Sequence, residues 1–267
     1  MTEKFLNIHL EGMDDAGEKL KRILDENIPV AISVCPETLR ENGIYREQYP
    51  YLPKYIDLIG KVISRGGNIL GQQGNIHKCK HNHRFVDPWH ENYCLYHRPI
   101  GGEKQRELME EGKETLVKLF GKSPEMYVPP NHLWDFTTLS VANSMGYPFF
   151  VIKGIKTSKP LLYKKGGENT LVLPERKIDQ EGYFHYTHYD EIEKNREAFE
   201  EVVKNAIPFV CVGDYFSMRQ KYVGKLYEAS PEELTEDLKI IRKNGTATII
   251  KKLLRDVRNL PGRVLEK

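Results

Sequence analysis

Histidine, whose ring can bind metals and carry protons near neutral pH, is concentrated in one short part of this 267-residue chain. Five of the nine histidines lie between residues 77 and 97. His, Glu, Asp and Cys are the usual protein ligands of divalent metals, and a bound metal can activate water or polarise a carbonyl. The segment is therefore a candidate metal site. Two other structures stay open for it: a surface loop without a ligand, and a structural zinc site made of Cys79, His81, Cys94 and His97.

Two further polar segments follow predicted strands. The first is the proline-rich run from Tyr127 to Trp134, and the second runs from His185 to Asp190. In parallel βα architectures the loops at the C-terminal ends of the strands carry function, because they can vary without harming the core. We therefore expect both segments to lie on the same face as the histidine-rich segment.

Short β-branched or aromatic runs alternate with amphipathic stretches, and this alternation is typical of parallel βα units in an open sheet or an incomplete barrel. A hairpin, Leu161 to Tyr163 with Thr170 to Leu173, is predicted as an insertion into the alternation. Helices are expected near residues 20–24, 53–64, 103–120, 137–144 and 192–203. Seven main strands are predicted, at Phe5 to Leu10, Val30 to Val34, Asn68 to Leu70, Met126 to Val128, Phe149 to Ile152, Phe184 to Thr187 and Phe209 to Val212.

Composition argues against several classes of partner. Forty Lys and Arg against 38 Asp and Glu leave a net charge of +2, which is too balanced for a nucleic-acid footprint. No apolar run approaches the roughly 20 residues of a membrane span. The acidic start of the chain does not resemble a leader, and the four cysteines are widely spaced, so we expect a cytoplasmic protein without a disulfide framework. A homo-oligomer remains open.

Several segments, taken in order, resemble the polysaccharide deacetylases, the carbohydrate esterases of family 4. Ile8-His9-Leu10-Glu11-Gly12 is similar to the end of the family's first strand, Thr-Phe-Asp-Asp-Gly. Gly67 to His77 is similar to the strand that leads into the family's His-x-x-x-His motif. The strongest similarity lies in Phe120-Gly-Lys-Ser-Pro124 and Tyr127-Val-Pro-Pro130, which resemble the family's Phe-Gly-x-x-Pro and Phe-Arg-Pro-Pro elements.

The resemblance implies a fold and a reaction. The expected fold is α/β, a distorted (β/α)7-type barrel over residues 1–215, with a helical C-terminal extension over residues 216–267 packed on the same domain. The expected activity is metal-dependent hydrolysis of an acetyl group on a polysaccharide, glycan or aminosugar precursor, with zinc as the expected metal. The expected partner is a carbohydrate substrate.

The resemblance also implies site residues. Glu11 falls on a family metal ligand, His77 keeps its ligand place, and Gln73 replaces the first histidine of the motif. The metal set is therefore expected from Glu11, Gln73, His77 and His81, and the catalytic set is Glu11, Asp14 and His188, with His188 protonating the leaving amine. Tyr127, Pro130, Asn131 and Trp134 are expected to contact the sugar.

Departures from the family pattern leave three outcomes open. Leu10 stands where the family has its general base, and the side chain of Gln73 offers only a neutral oxygen to a metal. In the first outcome His81 or His83 completes the metal set and Asp14 or Asp15 replaces the base. In the second, the pocket binds a sugar without hydrolysing it. In the third, these residues are structural, with Trp134 in the core and Asn131 capping the next helix.

Overall fold

A computed structural model describes residues 4–10, 16–40, 55–66, 68–76, 91–94, 98–153, 161–165, 168–180, 184–188, 191–192 and 194–206. The strands are β1 (Phe5–Leu10), β2 (Ala31–Val34), β3 (Ile69–Gln73), β4 (Tyr93–Cys94), β5 (Arg98–Pro99), β6 (Met126–Val128), β7 (Phe149–Lys153), β8 (Leu161–Lys165), β9 (Glu168–Lys177) and β10 (Phe184–His188). The helices are α1 (Ala16–Asp25), α2 (Pro36–Leu39), α3 (Ile56–Ile63), α4 (Gly102–Phe120), α5 (Phe136–Ser144) and α6 (Arg196–Lys204).

Seven of the described strands form a closed parallel barrel. They follow one another in the order β1, β2, β3, β6, β7, β9 and β10, and the barrel closes because β10 pairs with both β9 and β1. Strand β8 lies outside this ring as an antiparallel partner of β9, and β4 pairs with β5 in a separate two-stranded sheet. The seven-stranded barrel predicted from the sequence is therefore confirmed.

Alternation along the strands divides the core into two layers. In β1, the side chains of Leu6, Ile8 and Leu10 pack outward in one apolar cluster with Leu20 and Ile23 of α1. The intervening positions face the barrel interior, where Phe5 packs in a second cluster whose members come from each of the seven barrel strands. Leu10, at the expected position of the general base, thus belongs to the layer between barrel and helices.

Helix boundaries follow local signals. Helix α4 ends at Gly121, whose φ of 65° is a left-handed conformation that glycine adopts without strain. Helix α5 begins at Asp135, whose carboxylate accepts a hydrogen bond from the Thr138 amide at 2.8 Å while the Thr138 hydroxyl accepts one from the Asp135 amide. Asp135, rather than Asn131, therefore caps this helix.

One barrel strand differs from the sequence prediction. The hairpin of β8 and β9 is present, but β9 continues to Lys177 and forms part of the barrel wall. The predicted strand Phe209 to Val212 and the predicted helical extension 216–267 lie outside the described residues. None of the helices in the described ranges has the length and apolarity needed to span a membrane.

Candidate metal centre in the barrel mouth

Two imidazoles and one carboxylate meet inside the barrel near the C-terminal ends of its strands. His9 comes from β1, Glu175 from β9, and His132 from a 3-10 turn (Pro130–His132) that follows β6. His9 Nε2 lies 3.3 Å from Glu175 Oε1, and His132 Nε2 lies 3.5 Å from Glu175 Oε2. One ligand atom from each residue lies within 4.8 Å of the others. We call His9, His132 and Glu175 the triad.

Polar neighbours orient the triad. Asn7 Nδ2 donates to Glu175 Oε1 at 2.8 Å, and Ser33 Oγ donates to Asn7 Oδ1 at 2.8 Å. Gln73 Nε2 lies 3.4 Å from His9 Nδ1. These side chains are buried in the barrel interior, so the side chains of His9 and Glu175 are held on two sides by protein groups.

The turn that carries His132 has an uncommon backbone. Asn131 and His132 have φ values of 51° and 52°, in the left-handed region that few residues other than glycine adopt. Asn and His are among the side chains that tolerate it best, because their polar groups can bond locally. The capping box at Asp135 fixes the chain three residues later. The position of the His132 ring therefore depends on this short turn.

Lys153 and Tyr186 border the triad. The ring centroid of Tyr186 lies 5.2 Å from that of His9 and 5.7 Å from that of His132. Lys153 Nζ donates to the Tyr186 hydroxyl and lies 4.5 Å from the centre of its ring. Burial lowers the pKa of the Lys153 ammonium, and the charge of Glu175 opposes this effect. Burial, with Glu175 as a further cause, raises the pKa of the Tyr186 hydroxyl.

The triad fits a divalent metal. Glu175 Oε2 is buried and accepts no hydrogen bond from the described residues, and such an oxygen calls for an ion or a similar explanation. Two histidines and one glutamate are a known zinc ligand set that leaves a position open. Ligand atoms held at about 2.0–2.1 Å in a tetrahedron lie about 3.3 Å apart. Each imidazole lies 3.3 Å or 3.5 Å from one of the two Glu175 oxygens, and one ligand atom from each residue lies within 4.8 Å of the others, so small shifts would bring the three to that spacing.

Of the residues predicted as metal ligands, Gln73 is the one that the described structure places at this site. Gln73 faces it, but its amide contacts the second ring nitrogen of His9 instead of lying among the three ligand atoms. Glu11, Asp14, His77 and His81 lie outside the described residues, so their roles stay predictions. The Cα of His188 is the register partner of that of His9, which places it at the same strand end; its side chain is outside the described part.

The four residues predicted to contact the sugar lie in two different environments, and the first is the protein core. Tyr127 has no exposed surface: its ring packs on Tyr147 and Phe150, and its hydroxyl accepts from Asn92 Nδ2 at 2.7 Å. Burial raises the pKa of this hydroxyl well above its usual value. The ring is occupied by protein neighbours, which departs from the sugar-stacking role expected for it.

The other three predicted sugar contacts lie around the turn of His132. Pro130 is buried, Asn131 is exposed, and Trp134 is half-buried with its ring edge-on to Phe150. Pro130 is also so near Gly74 that a Cβ on this glycine would lie 2.3 Å from Pro130 Cγ. Gly74 has a φ of 58°, so both backbone conformation and space require glycine there. The loop after β3 and the turn of His132 are therefore in close contact.

A buried carboxylate anchors the ends of the histidine-rich segment. Glu91 accepts hydrogen bonds from the backbone amides of Asn75 and Ile76 at 2.7 Å and 2.8 Å, and it is 1% exposed. Residues 77–90 leave and rejoin the described chain at this point, next to Gly74 and Pro130. That the rest of this segment belongs to the functional face stays a prediction, because residues 77–90 lie outside the described part.

The triad itself was not predicted, although two of its members gave a signal. Asn7 and His9 are polar residues at alternate positions of an otherwise apolar strand, a pattern that indicates one buried polar stripe. His132 lies in the proline-rich segment that was expected at the functional face. Glu175 follows Pro174, and a proline argues against a continuing strand, so no local signal places Glu175 in the barrel wall.

Comparison with known proteins identifies relatives of the fold. No protein-family model and no curated protein matches the chain. Among solved structures, a Mycobacterium smegmatis protein assigned as a polysaccharide deacetylase is 14% identical, with a TM-score of 0.51 over 80% of this chain and 90% of that one. A 4-α-glucanotransferase from Thermococcus litoralis is 15% identical, with a TM-score of 0.51 over 91% of this chain and 47% of that one.

A third solved structure, a family 4 carbohydrate esterase from Bacillus anthracis, is 16% identical, with a TM-score of 0.45 over 76% of this chain and 75% of that one. Identities this low bear on the fold alone. The closed ring of seven strands confirms the (β/α)7 barrel expected from the sequence motifs, and the Mycobacterium smegmatis structure shows that the chain is similar in fold to a polysaccharide deacetylase.

Proposed function

We propose that the chain is a metal-dependent hydrolase that removes an acetyl group from a carbohydrate, with the metal held by His9, His132 and Glu175. The observation that carries the proposal is the convergence of two imidazoles and a carboxylate in the mouth of this barrel. Similarity in fold to a polysaccharide deacetylase supports the choice of reaction. The proposal replaces the expected ligand set around Gln73 by the triad.

A divalent metal bound by the triad would supply the Lewis acidity that amide or ester hydrolysis needs. The chain's own residues would orient its ligands. The Gln73 amide lies beside Nδ1 of the His9 ring, and Asn7 Nδ2 donates a hydrogen bond to Glu175 Oε1. Hydrogen bonds of this kind fix the ring tautomer and the carboxylate direction around metals. For a metal to bind His9 Nε2, Nδ1 would carry the proton, and the Gln73 amide would turn by about 180° so that its oxygen replaces the Nε2 group now facing Nδ1.

The proton transfers are proposed for residues at the ends of β1 and β10. Glu11 and Asp14 follow β1 within a few residues, and one of them is the candidate base that takes a proton from water. His188 ends β10 in register with His9 and is the candidate acid that protonates the leaving nitrogen or oxygen.

The test combines metal binding with turnover. We expect wild-type protein to bind about one equivalent of Zn²⁺ or Co²⁺ by calorimetry and to release acetate from acetylated aminosugars. His132→Asn removes the imidazole but keeps a side chain that tolerates the left-handed backbone. It should weaken metal binding at least tenfold and abolish turnover. Asn131→Gly, which perturbs the same turn without removing a ligand, is the matched control for metal binding.

Two results decide against the proposal. Unchanged metal affinity in His132→Asn would show that the triad does not hold the metal. Affinity for glycans that a chelator leaves unchanged, with no acetate released, would favour a carbohydrate-binding protein without hydrolytic activity.

A further inference from the structure

We propose that Lys153 makes the barrel mouth a binding site for an anionic group, a carboxylate or a phosphate, so that the preferred ligand is an acidic carbohydrate. That the ligand is a carbohydrate rests on the proposed function. The anionic part is argued from the position and surroundings of one lysine side chain.

Lys153 lies beside the triad on the interior wall. It is the last residue of β7, and its Cα is the register partner of that of Glu175 on β9. Register partners in a sheet point to the same face, so both side chains enter the barrel mouth at one level. The side chain is half-buried, which keeps the ammonium close to both the interior and the opening.

Tyr186 holds the ammonium in place. The Lys153 ammonium donates to the Tyr186 hydroxyl and lies over the Tyr186 ring, which in turn contacts the rings of His9 and His132. An ammonium has three N–H donors. Within the described part of the chain, the Tyr186 hydroxyl is the one hydrogen-bond acceptor that it contacts. The charge is thus fixed next to the triad with donors left for a ligand.

The charges of the inward-facing wall favour an anion. Among the described strand residues that alternate toward the interior, Glu175 is the one carboxylate; Lys153 lies at its level, and Lys177 follows it at the exposed end of β9. Glu191, which follows β10, is a second carboxylate close enough to act on the charge of Lys153. A divalent metal on the triad would add two further positive charges. With that metal bound the mouth would be positive, and a positive, partly enclosed mouth attracts anionic ligands and raises their local concentration.

A small cavity at the ends of β9 and β10 offers room for such a ligand. Its volume is about 210 Å³, below the about 300–1,000 Å³ of sites for drug-sized molecules, which suits one sugar ring or one substituent. Tyr186 lines it and so connects it to Lys153. The other lining residues are Lys177, Ile178, Asp179, Thr187, Glu191, Lys194 and Asn195. The two carboxylates, Asp179 and Glu191, face two ammonium groups there, so the anion is expected at Lys153 rather than deep in the cavity.

The competing role for Lys153 is that of a counter-charge to Glu175. In that role the lysine would stabilise the folded protein and have no influence on which ligand binds. The two roles differ in a ligand comparison, because only an anion site discriminates between sugars that differ in charge.

The experiment measures binding by calorimetry with three probes: N-acetylglucosamine, N-acetylglucosamine 6-phosphate and N-acetylmuramic acid. A charge-assisted hydrogen bond corresponds to about a tenfold to hundredfold gain in affinity. We expect wild-type protein to bind at least one anionic sugar about ten times more tightly than the neutral one. The preference should weaken as salt is raised. Comparison of N-acetylglucosamine 6-phosphate with N-acetylmuramic acid shows whether the site prefers a phosphate or a carboxylate.

Three variants separate the explanations. Lys153→Met should remove the preference, and Lys153→Arg should keep part of it. Lys113→Met is the matched control, because Lys113 also lies over a tyrosine ring, that of Tyr147, and donates to a backbone carbonyl, but on α4. Equal affinities for neutral and anionic sugars in wild-type protein, or an unchanged preference in Lys153→Met, would overturn the inference. The titration is repeated in His132→Asn, which is expected to lose turnover. A preference for anionic sugars that persists there does not depend on hydrolysis.

Discussion

The two oxygens of Glu175 have different surroundings. Oε1 accepts a hydrogen bond from Asn7 and lies near His9, whereas Oε2 accepts no hydrogen bond from the described residues and lies near His132. Burying a carboxylate is costly unless its charge is compensated. Glu175 is fully buried, and its described polar neighbours are the Asn7 amide and the two imidazoles.

Removal of the Glu175 carboxylate should therefore destabilise the protein. We expect Glu175→Ala to lower the free energy of unfolding by about 2–4 kcal/mol, because it leaves a cavity in the buried site and the Asn7 amide without its acceptor. Glu175→Gln, which retains an oxygen for Asn7, should cost less. Urea unfolding followed by circular dichroism provides the measurement.

Glu125→Gln is the control for that series. Glu125 is half-exposed and pairs with Lys122 at 3.2 Å on the surface, so its loss should change the free energy of unfolding by less than about 1 kcal/mol. If Glu175→Ala were no more destabilising than this surface change, the triad would not be the compensated buried cluster described above.

The site residues differ in how far the sequence could predict them. His9 and His132 are histidines near strand ends, and the strand-end rule led to the region of His132. Their partner Glu175 could not be found in the same way, since a proline precedes it and its role depends on a strand reaching the barrel wall beside β10. Residue type indicates possible chemistry, whereas the convergence of residues 9, 132 and 175 is a property of the closed barrel.

At the scale of elements, the start of α5 determines where His132 lies. The Asp135 side chain is buried and accepts hydrogen bonds from both the amide and the hydroxyl of Thr138. An N-cap of this kind contributes about 0.5–2 kcal/mol. The same cap holds the chain that leads out of the left-handed turn at Asn131 and His132.

Asp135→Ala should therefore have two effects. We expect the free energy of unfolding to fall by about 1–2 kcal/mol and metal affinity to fall as well, because the His132 turn loses its anchor. Asp135→Asn keeps the capping oxygen and should preserve most of both quantities. Chemical unfolding and metal titration of the two variants provide the comparison. A loss of stability with unchanged metal affinity would mean that the cap does not position the histidine.

Most elements follow from local patterns in the sequence. Strand β1 and strand β6 lie at the predicted residues, and α4 ends at the predicted glycine. These elements have strong signals: an apolar run with polar residues at alternate positions, or a helix followed by glycine. Strand β9 was predicted too short because a hairpin and a barrel strand are formed by one continuous segment, and only tertiary pairing with β7 and β10 reveals the second role.

At the scale of the whole molecule, a metal on the triad would join three distant parts of the chain. A ligand that binds only the folded state stabilises it by about 2.7 kcal/mol at a hundred times its dissociation constant. For a protein of this size that corresponds to a rise in melting temperature of roughly 5–10 °C. We expect Zn²⁺ or Co²⁺ to produce such a rise in wild-type protein, and a chelator to reverse it.

The same scan on His132→Asn tests where the metal binds. The rise should be lost in this variant and kept in Asn131→Gly. An equal rise in both variants would place the stabilising metal at another site, and the histidine-rich segment between residues 77 and 97 would then be the next candidate.

Closure of the barrel through β10 has a consequence for folding. His9 and Glu175 are separated by 166 positions in sequence, and they come together only when the first strand joins strands formed near the end of the described chain. Contacts between such distant residues form slowly, since a long loop must close first. During synthesis, His9 therefore leaves the ribosome long before its partner exists, and a nascent chain cannot capture a metal with these ligands until nearly the whole wall has been translated.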